Sequence, residues 1–540
     1  MANVEKNAHF SSKICCQSEF KLWLFVILTL LLLCNPVILS ATTDAKYCNQ
    51  AQDNAVTIPK GQAQLFLDNE LIAETNNVTR VWHQFTKHPA NPLIERTEHE
   101  GSIVLFGSVI REPDPITGGA PIFRMWYFAG GYGESKMWTT WIAYATSRDG
   151  LKWEKPNLGL YELQGRRDNN IVCPAWLKIQ NVTIKFFNDF SCVIHDPNPN
   201  VPPDQRYKMV ISAVTPDSKG LHDRCTVTLV SPDGIHWKVH NVLKNTSGDR
   251  TCFVWNPYRE VYALYLRTYH SAPAYKERAI EQKWPSFFEG NARAVAIMTS
   301  RDFNEWTEPQ LLVYPDSNDP DGTQIYGMNV FPYEGKWIGL WQNHRSLADI
   351  AILDIGIAHS RDGLNWHRIR STEHIILPLG EVGQWDRFNQ AGSTSLVQVG
   401  DELWFYYSGR TYRHGEYQGR DNGPGSSQGG IRIGLATIRL DGFCSMQASF
   451  DGGQIITVPL ILPKGDLFLN AKANWGEIVV EVLDSNGNVI DGMKSEPVQS
   501  DGIRLPVKWP QGKTFAELAG IEVKLRFTLK NALLFSWKVN

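Results

Sequence analysis

Acidic side chains stand directly before five strand-like segments of this 540-residue chain. In chain order they are Glu100, Asp189, Asp249, Asp319 with Asp321, and Asp386. Hydrolysis of a glycosidic bond needs two carboxylates beside that bond, one protonated to donate to the leaving oxygen and one ionised as base or nucleophile. The sequence therefore predicts catalytic acids at the strand starts. These predicted acids are Asp249, Asp189, Glu100 and Asp386.

Asp249 is the first candidate, because it forms a charged pair with Arg250 at the start of the apolar segment TCFVW. The alternative for this pair is a structural ion pair buried between strands. Acids crowded in a partly desolvated pocket acquire different pKa values, which separates acid from base. Asp189 or Asp249 would act as base or nucleophile and Glu100 as acid. For Asp189, Glu100 and Asp386 the alternative is an ordinary solvent-exposed loop acid.

Four further side chains are expected to bind the substrate. They are Arg250, Tyr326, Trp385 and His414. A guanidinium orients sugar hydroxyls or an acidic group of a substrate, and aromatic rings stack on sugar faces. Core packing is the alternative for Trp385. His414 lies in the glycine-rich segment TYRHGEYQGRDNGPGSSQGG, which is either a lid or an insertion without a role. The cysteine spacing shows no metal-site pattern, and no cofactor is expected.

The elements that would position these residues are visible as a repeat. Each copy is an alternating strand followed by Ser-x-Asp, usually Gly, and then Trp. The clear copies are IAYATSRDGLKW, VTLVSPDGIHW, VAIMTSRDFNEW and IGIAHSRDGLNW, and a degenerate fifth is IRIGLATIRLDGF. Because Asp-Gly between strands indicates a tight turn, we interpret the repeat's Asp residues as turn residues and not as catalytic ones. Four short strands in each of five copies predict an all-β protein with a five-bladed β-propeller.

The propeller is predicted to span residues 96–443. The innermost strand of each blade begins near the central funnel, so residues just before these strands would face a ligand there. Residues 444–540 lack the repeat but keep the alternation, which predicts a C-terminal β-sandwich. Residues 42–95 form an N-terminal segment, in which LFLDNELIA at 65–73 would supply an outer strand that closes the ring.

Residues 1–41 indicate a secretory signal peptide. The apolar run LWLFVILTLLLL is short for a membrane span, and small residues follow it. An uncleaved signal anchor is the alternative, and only then would a membrane be a partner. Sequons at Asn77, Asn181 and Asn245 agree with export. Six cysteines beyond the signal permit disulfides without indicating their pairing. We expect a secreted, extracellular glycoprotein.

The sequence resembles the five-bladed propeller glycosidases of families 32 and 43, and most of all a loosely characterised group of secreted proteins related to family 32. The phrases that carry the resemblance include LFLDNELI, KHPANPLI, FRMWYF, HDPNPNVPPDQRYKM, GDRTCFVWNPYR and QIYGMNVFPYEG, and it spans residues 61–540. The resemblance implies a glycoside hydrolase. The invertase signatures WMNDPNG, RDP and EC are missing, so it implies no particular substrate.

Two classes of function follow from these observations. The first is a secreted glycoside hydrolase that uses paired carboxylates on an oligo- or polysaccharide. The second is a carbohydrate-binding or adhesion protein that keeps the propeller without the reaction. A sialidase-like enzyme is a third interpretation, which would require an arginine triad. A net charge of −3 without long single-sign runs excludes nucleic acid as a partner. The oligomeric state is not indicated.

Overall fold

Nearly all of the regular secondary structure in the described residues is β-strand. The computed structural model describes residues 55–540 except 98–99, 115–117, 133–137, 180–181, 186–190, 214–223, 245, 247, 249, 272–275, 282–290, 346–351, 371–374, 415–429 and 511–512. Within these residues lie 37 strands, β1 to β37, one short helix, α1 (Lys276–Glu281), and 3₁₀ turns at Pro203–Gln205 and Phe515–Leu518. None of the helical segments in this part of the chain is long and apolar enough to cross a membrane. The prediction of an all-β protein is confirmed.

The first five strands come from the N-terminal segment. They are β1 (Val56–Thr57), β2 (Gln64–Leu65), β3 (Ile72–Asn76), β4 (Thr79–Trp82) and β5 (Thr86–Lys87). Three four-stranded antiparallel sheets follow, in which each strand pairs with its successor. Sheet 1 contains β6 (Ser102–Pro113), β7 (Pro121–Tyr132), β8 (Trp138–Ser147) and β9 (Ile171–Cys173). A hairpin of β10 (Trp176–Ile179) and β11 (Val182–Lys185) separates it from the next sheet.

Sheets 2 and 3 repeat this arrangement. Sheet 2 contains β12 (Ser191–His195), β13 (Tyr207–Ala213), β14 (Cys225–Ser231) and β15 (Lys238–Leu243). Sheet 3 contains β16 (Thr251–Asn256), β17 (Val261–Ser271), β18 (Asn291–Ser300) and β19 (Gln310–Val313). Antiparallel strands that follow one another in the chain can be joined by a short turn, such as the one between Asn256 and Val261.

Sheets 4 and 5 are joined by one parallel pair, Leu353 with Asn389. Sheet 4 contains β20 (Thr323–Tyr333), β21 (Lys336–Arg345), β22 (Ile352–Ser360), β23 (Trp366–Arg368) and β24 (Ile375–Leu377). Sheet 5 contains β25 (Asn389–Gly392), β26 (Val397–Val399), β27 (Glu402–Arg410) and β28 (Arg432–Arg439). Its outermost strand is β5 from the N-terminal segment, which pairs with β28.

Hydrogen bonds connect each of the five sheets to the next one at or just after its first strand. The last of these bonds connects sheet 5 to sheet 1. The donor and acceptor pairs are Val193 N to Ser108 Oγ at 2.8 Å, Phe253 N to Cys192 Sγ at 3.3 Å, Val330 N to Cys252 Sγ at 3.3 Å, Asn329 Nδ2 to Gly392 O at 3.1 Å, and Thr394 N to Gly107 O at 2.9 Å. Cys192 and Cys252 are buried free thiols, as are Cys173 and Cys444. These hydrogen bonds therefore connect neighbouring sheets through their first strands or the residues just after them. The number of blades and the sandwich stay predictions.

The repeated Ser-x-Asp segments form the same turn each time. Asp149 Oδ1 accepts hydrogen bonds from the backbone N–H groups of Leu151 and Lys152, both at 2.8 Å, and Trp153 Nε1 donates to Gly150 O at 3.1 Å. Equivalent bonds occur at Asp233, Asp302 and Asp362. The carboxylates are thus used by their own turns, which confirms the structural interpretation of these residues.

The C-terminal strands form two further sheets. The strands are β29 (Cys444–Ala448), β30 (Gly453–Thr457), β31 (Leu460–Ile461), β32 (Leu467–Lys472), β33 (Glu477–Leu483), β34 (Val489–Lys494), β35 (Asp501–Pro506), β36 (Glu522–Lys530) and β37 (Ala532–Val539). The seven-stranded sheet also includes β1 and β3, and the six-stranded sheet includes β2 and β4. Residues of both sheets share one apolar core. We call these two sheets the C-terminal sheets.

The segment 65–73 therefore does not supply the outer strand of sheet 5. Leu65 pairs with Ser536 and Ile72 pairs with Thr457, both in the C-terminal sheets. The strand that completes sheet 5 lies further along the chain, at Thr86–Lys87. The apolar residues Leu65, Phe66 and Leu67 belong to the core of the C-terminal sheets, which accounts for the different pairing.

Candidate functional site

A cluster of cations surrounds the ring of Tyr326 in the first part of β20. The guanidinium carbons of Arg250, Arg267 and Arg293 lie 4.9, 4.7 and 5.5 Å from the centroid of this ring. Tyr326, Arg250 and Arg267 are all buried. A cation above an aromatic face is attracted by the ring electrons, by about 0.5–2 kcal/mol. The ring thus forms a platform that all three arginines share.

Two histidines complete this group. His414 Nε2 lies 3.1 Å from the Tyr326 hydroxyl, and His414 Nδ1 lies 3.3 Å from His344 Nε2. The His344 ring stacks on the Tyr326 ring with 6° between the planes and 5.5 Å between the centroids. His344 is on β21 of sheet 4, and His414 follows β27 of sheet 5. Together the residues of the Tyr326 cluster are Arg250, Arg267, Arg293, Tyr326, His344 and His414.

Strand geometry brings the three arginines to one place. Arg250 precedes β16, Arg267 lies on β17 and Arg293 lies at the start of β18. The backbone N–H of Arg267 donates to the carbonyl of Arg250 at 2.8 Å. Neighbouring strands are about 4.8 Å apart, so side chains at one height lie side by side. The centroid of the Phe106 ring on β6 lies 3.5 Å from the Arg250 guanidinium carbon, and sheets 1, 3 and 4 therefore meet here.

Glutamine side chains hold two of these arginines in position. Arg250 Nη2 donates to Gln342 Oε1, and Arg293 Nη1 donates to Gln324 Oε1 at 2.7 Å. Both glutamines are buried. A neutral amide oxygen orients a guanidinium without cancelling its charge. The hydrogen bonds therefore fix the direction of these two guanidinium groups.

The surroundings keep both histidines neutral. Burial lowers the pKa of His344 well below its ordinary value, and the charge of Arg293 lowers it further. Burial likewise lowers the pKa of His414, followed by the charges of Arg410 and Arg293. At pH 7 each imidazole therefore has one N–H donor and one acceptor nitrogen. Neutral histidines add hydrogen-bonding groups to the cluster without adding repulsion.

The structure brings together three of the four predicted substrate-binding residues. Arg250, Tyr326 and His414 contact one another or the same ring. The predicted catalytic residues Asp189 and Asp249 lie outside the described residues, so their roles stay predictions. Asp249 precedes Arg250 in the sequence, and Arg250 belongs to the cluster.

Glu100 is buried beside sheet 1, with both carboxylate oxygens occupied. Its Oε1 accepts a hydrogen bond from Tyr127 at 2.5 Å. Its Oε2 accepts from the Thr97 backbone N–H at 2.6 Å and forms an ion pair with Lys155 Nζ at 2.5 Å. These partners are not residues of the Tyr326 cluster. The catalytic role of Glu100 stays a prediction, and its contacts are those of a structural ion pair.

Asp386 and Trp385 lie where β5 completes sheet 5. Asp386 Oδ2 forms an ion pair with Lys87 Nζ at 2.7 Å and accepts a hydrogen bond from Tyr407 at 2.8 Å. Asp386 is only 2% exposed. Trp385 stacks on Tyr407 at 5.4 Å between ring centroids and belongs to the largest apolar core. Their roles in the site stay predictions, and these contacts favour structural roles.

Several residues of the cluster gave no signal in the sequence. Arg267 and Arg293 lie inside the strand segments VYALYLRTY and NARAVAIM, where the apolar pattern dominates. His344 ends the strand KWIGLWQNH, and its partner His414 is distant along the chain. A search of each strand segment for Arg and His at positions that correspond to Arg250, just before β16, would have pointed to them. Among the described residues no group of three His, Cys, Asp or Glu side chains is arranged to hold a metal ion.

No protein-family model matches the chain, and no curated protein matches it. Solved structures are similar at low identity. An N-acetylgalactosamine deacetylase from F. plautii, in complex with blood group B trisaccharide, is 13% identical with a TM-score of 0.43, over 68% of this chain and 96% of that one. A β-1,2-mannobiose phosphorylase from Listeria innocua is 13% identical with a TM-score of 0.41, over 66% and 96%. A glycosyl hydrolase from Bacteroides ovatus is 12% identical with a TM-score of 0.41, over 66% and 94%. Similarity at this level does not identify a family, and the resemblance to families 32 and 43 stays a prediction.

Proposed function

We propose that this protein is a secreted glycoside hydrolase, a five-bladed β-propeller followed by a β-sandwich, with its active site at the Tyr326 cluster. The main support for this proposal is that side chains from three different sheets contact one another around the Tyr326 ring. Phe106 comes from sheet 1, Arg250 from sheet 3 and Tyr326 from sheet 4. The hydrogen bonds between successive first strands support the propeller, because they return to the sheet where they began.

Asp249 is the carboxylate that we assign to the reaction. It is adjacent to Arg250, and a guanidinium of the cluster would stabilise the ionised form of a nearby carboxylate. A second acid must donate a proton to the leaving oxygen, and Asp189, which stands at the equivalent position before sheet 2, is our choice. The prediction that Glu100 is the acid is weakened because Tyr127, Thr97 and Lys155 occupy its oxygens.

Export is part of the proposal. The apolar run within residues 22–33 and the small residues after it support a cleaved signal. The sequon residue Asn77 is exposed between β3 and β4, where an oligosaccharide could be attached. Deglycosylation of the protein secreted by eukaryotic cells should therefore reduce its mass.

The test is product analysis by mass spectrometry after incubation with a panel of polysaccharides and aryl glycosides. The wild-type protein should release a sugar, and Asp249→Asn should slow release by about 100-fold or more, the usual range for loss of a catalytic acid or base. Asp302→Asn is the matched control, because Asp302 belongs to a turn of the repeat and should leave the rate unchanged. Equal rates for wild type and Asp249→Asn would remove Asp249 from the mechanism.

A carbohydrate-binding protein without activity is the second candidate. The observation in its favour is that Glu100 and Asp386, two of the four predicted acids, are each neutralised by a lysine. This function predicts retention on an immobilised glycan and no product from any member of the panel. Release of a sugar by the wild-type protein would reject it.

A further inference from the structure

We propose that one end of the C-terminal sheets is a second carbohydrate site, which binds a neutral oligosaccharide chain. The turns around Phe450, Trp475, Gln499 and Asn531 form this site, and we call it the Trp475 pocket. The inference goes beyond the proposed function, because the pocket is built from other residues than the Tyr326 cluster and binding there requires no reaction.

Four connections between strands meet at the Trp475 pocket. They join β29 to β30, β32 to β33, β34 to β35 and β36 to β37, and each crosses from one C-terminal sheet to the other. At the end of β29, Ala448 pairs with Ala532. At the end of β32, Lys472 pairs with Leu533 and Asp501. The strand register therefore places all four connections at the same end of the two sheets.

Hydrogen bonds between these turns fix the shape of the pocket. Asn531 Nδ2 donates to Trp475 O at 2.8 Å, and Asn531 N donates to Ser449 O at 2.8 Å. Ala473 N donates to Ser500 O at 3.1 Å. Each turn is thus connected to a neighbouring turn. A site that is rigid beforehand loses less conformational freedom when a ligand binds.

Two large aromatic side chains of the pocket are exposed to solvent. Trp475 is 81% exposed and Phe450 is 69% exposed. They line a pocket of about 520 Å³, which is in the size range of sites for small ligands. The C–H faces of a pyranose ring are apolar and can stack on such rings, and the indole N–H of Trp475 is a hydrogen-bond donor. The two rings therefore suit the faces of a sugar.

The polar residues of the pocket suit the hydroxyl groups of a sugar. They are Asn474, Glu477, Gln499 and Lys530. Asn474 and Lys530 are exposed, so their amide and ammonium groups are accessible to a ligand. Gln499 Nε2 donates to Glu477 Oε2 at 3.3 Å, which orients both side chains. One glutamate and one lysine give the pocket no net charge, and charge complementarity therefore favours a neutral ligand.

The exposed apolar surface is too small for a stable interface between two copies of the chain. Two aromatic side chains supply about 300–500 Å², whereas a standard interface takes about 800 Å² from each partner. The other large apolar residues described as exposed in the C-terminal sheets are Val489, at the start of β34, and Ile521, just before β36. The pocket follows the other ends of β34 and β36, so these residues do not extend its surface. A sugar chain fits both the size and the chemistry.

The experiment measures binding of hexasaccharides to the full-length secreted protein by isothermal titration calorimetry. The probes are cellohexaose, xylohexaose and mannohexaose, which are neutral, and hexagalacturonate, which is acidic. We expect at least one neutral probe to bind at millimolar concentration or below. Trp475→Ala should weaken this binding by about 10-fold or more, because truncation of an aromatic anchor removes a large share of the binding energy. Phe450→Ala should weaken it less, since the smaller ring has no N–H.

Tyr258→Ala is the matched control for the loss of an exposed ring. Tyr258 lies between β16 and β17 and is 50% exposed, and its removal should leave the affinity unchanged. Trp475→Phe keeps an aromatic ring and should retain more of the affinity than Trp475→Ala. Circular dichroism of each variant checks the fold.

Three results would overturn the proposal. They are failure of all three neutral probes to bind, equal affinities of the wild-type protein and Trp475→Ala, and tighter binding of hexagalacturonate than of every neutral probe. Analytical ultracentrifugation tests the alternative occupant, a second copy of the chain. Self-association that Trp475→Ala abolishes, in a protein that binds no neutral probe, would assign the pocket to an interface and also overturn the proposal.

The outcome is separable from the proposed function. Trp475→Ala should leave the rate of aryl glycoside cleavage unchanged, whereas Asp249→Asn should slow it. Binding that depends on Trp475, with no product from any substrate, would keep the second site and reject the hydrolase. Release of a sugar without any binding that depends on Trp475 would keep the hydrolase and reject the second site.

Discussion

The C-terminal sheets bury mainly apolar side chains, whereas the Tyr326 cluster buries charged and polar ones. In β36, buried apolar residues such as Val523, Leu525 and Phe527 alternate with more exposed ones. Around Tyr326 the buried positions carry Arg250, Arg267 and other polar groups. Apolar burial contributes about 25 cal/mol per Å², whereas burial of charge costs free energy unless a partner is present. The C-terminal sheets accordingly gain stability from apolar burial, whereas the Tyr326 cluster buries charged and polar side chains.

The largest effect is expected in the C-terminal sheets. Trp537 on β37 is 1% exposed and packs against Phe527. Trp537→Ala should lower the free energy of unfolding by about 3–5 kcal/mol, because it leaves a cavity in the core. Urea denaturation measures this change. Trp475→Ala is the matched control, since Trp475 is 81% exposed and its removal should change stability by no more than about 0.5 kcal/mol. A large loss for both variants would contradict the assignment of the core.

A smaller effect is expected where charge is buried for structural reasons. Asp386→Asn removes the ion pair with Lys87 and should lower the free energy of unfolding by about 2 kcal/mol, in the range for a lost buried charged hydrogen bond. Asp168→Asn breaks an exposed ion pair with Arg166 and should cost less than about 1 kcal/mol. Urea titrations of both variants test the difference. If Asp386→Asn keeps its stability and loses activity, Asp386 belongs to the site and the distinction between the regions fails there.

The pH dependence of stability tests the Tyr326 cluster. The pKa of His344 is lowered in the folded state, so below pH 6.5 the unfolded chain binds a proton that the folded protein resists. Stability should therefore fall as pH falls from 6.5, by about 1.4 kcal/mol per pH unit for this residue. His344→Gln should reduce the slope by that amount in urea titrations at pH 7, 6 and 5. Tyr326→Phe changes the same cluster without removing an imidazole, and an equal slope change in that variant would contradict this explanation.

The smallest effect is expected at the repeated turns. Asp149→Ala removes the acceptor for the N–H groups of Leu151 and Lys152 and should lower the free energy of unfolding by about 1 kcal/mol, as for loss of a helix cap. Asp149→Asn keeps an acceptor oxygen and should cost less. Thermal unfolding distinguishes the two variants. Any loss of activity at constant stability would place this Asp in the chemistry.

The repeat could be predicted from the sequence because its determinants are local. Asp149, Gly150 and Trp153 lie within five positions and contact one another, so their types and spacing specify the turn. Alternation in segments such as IEVKLRFTL likewise predicted the strands of the C-terminal sheets. These interactions need no information about distant parts of the chain.

The candidate site could be predicted only in part. Arg250 and Tyr326 were identified from their positions at strand starts, but Arg267 lies in the middle of an apolar strand where its neighbours predict burial. The ion pair between Asp386 and Lys87 joins residues from opposite ends of the five-sheet region. Pairings over such distances depend on the order of the sheets in space. Residue types and their spacing along the chain do not reveal that order.

The pairing of β5 with β28 has a consequence for biosynthesis. Thr86 leaves the ribosome early, whereas its partner Thr437 lies in the last strand of sheet 5 and follows the four preceding sheets. The entropy of loop closure opposes this long-range contact. This entropic cost grows only slowly with the length of the loop. Strand β5 therefore lacks its partner strand until β28 has been translated, and unpaired strands associate readily with other chains. Completion of sheet 5 therefore waits for a contact between two segments from opposite ends of the five-sheet region.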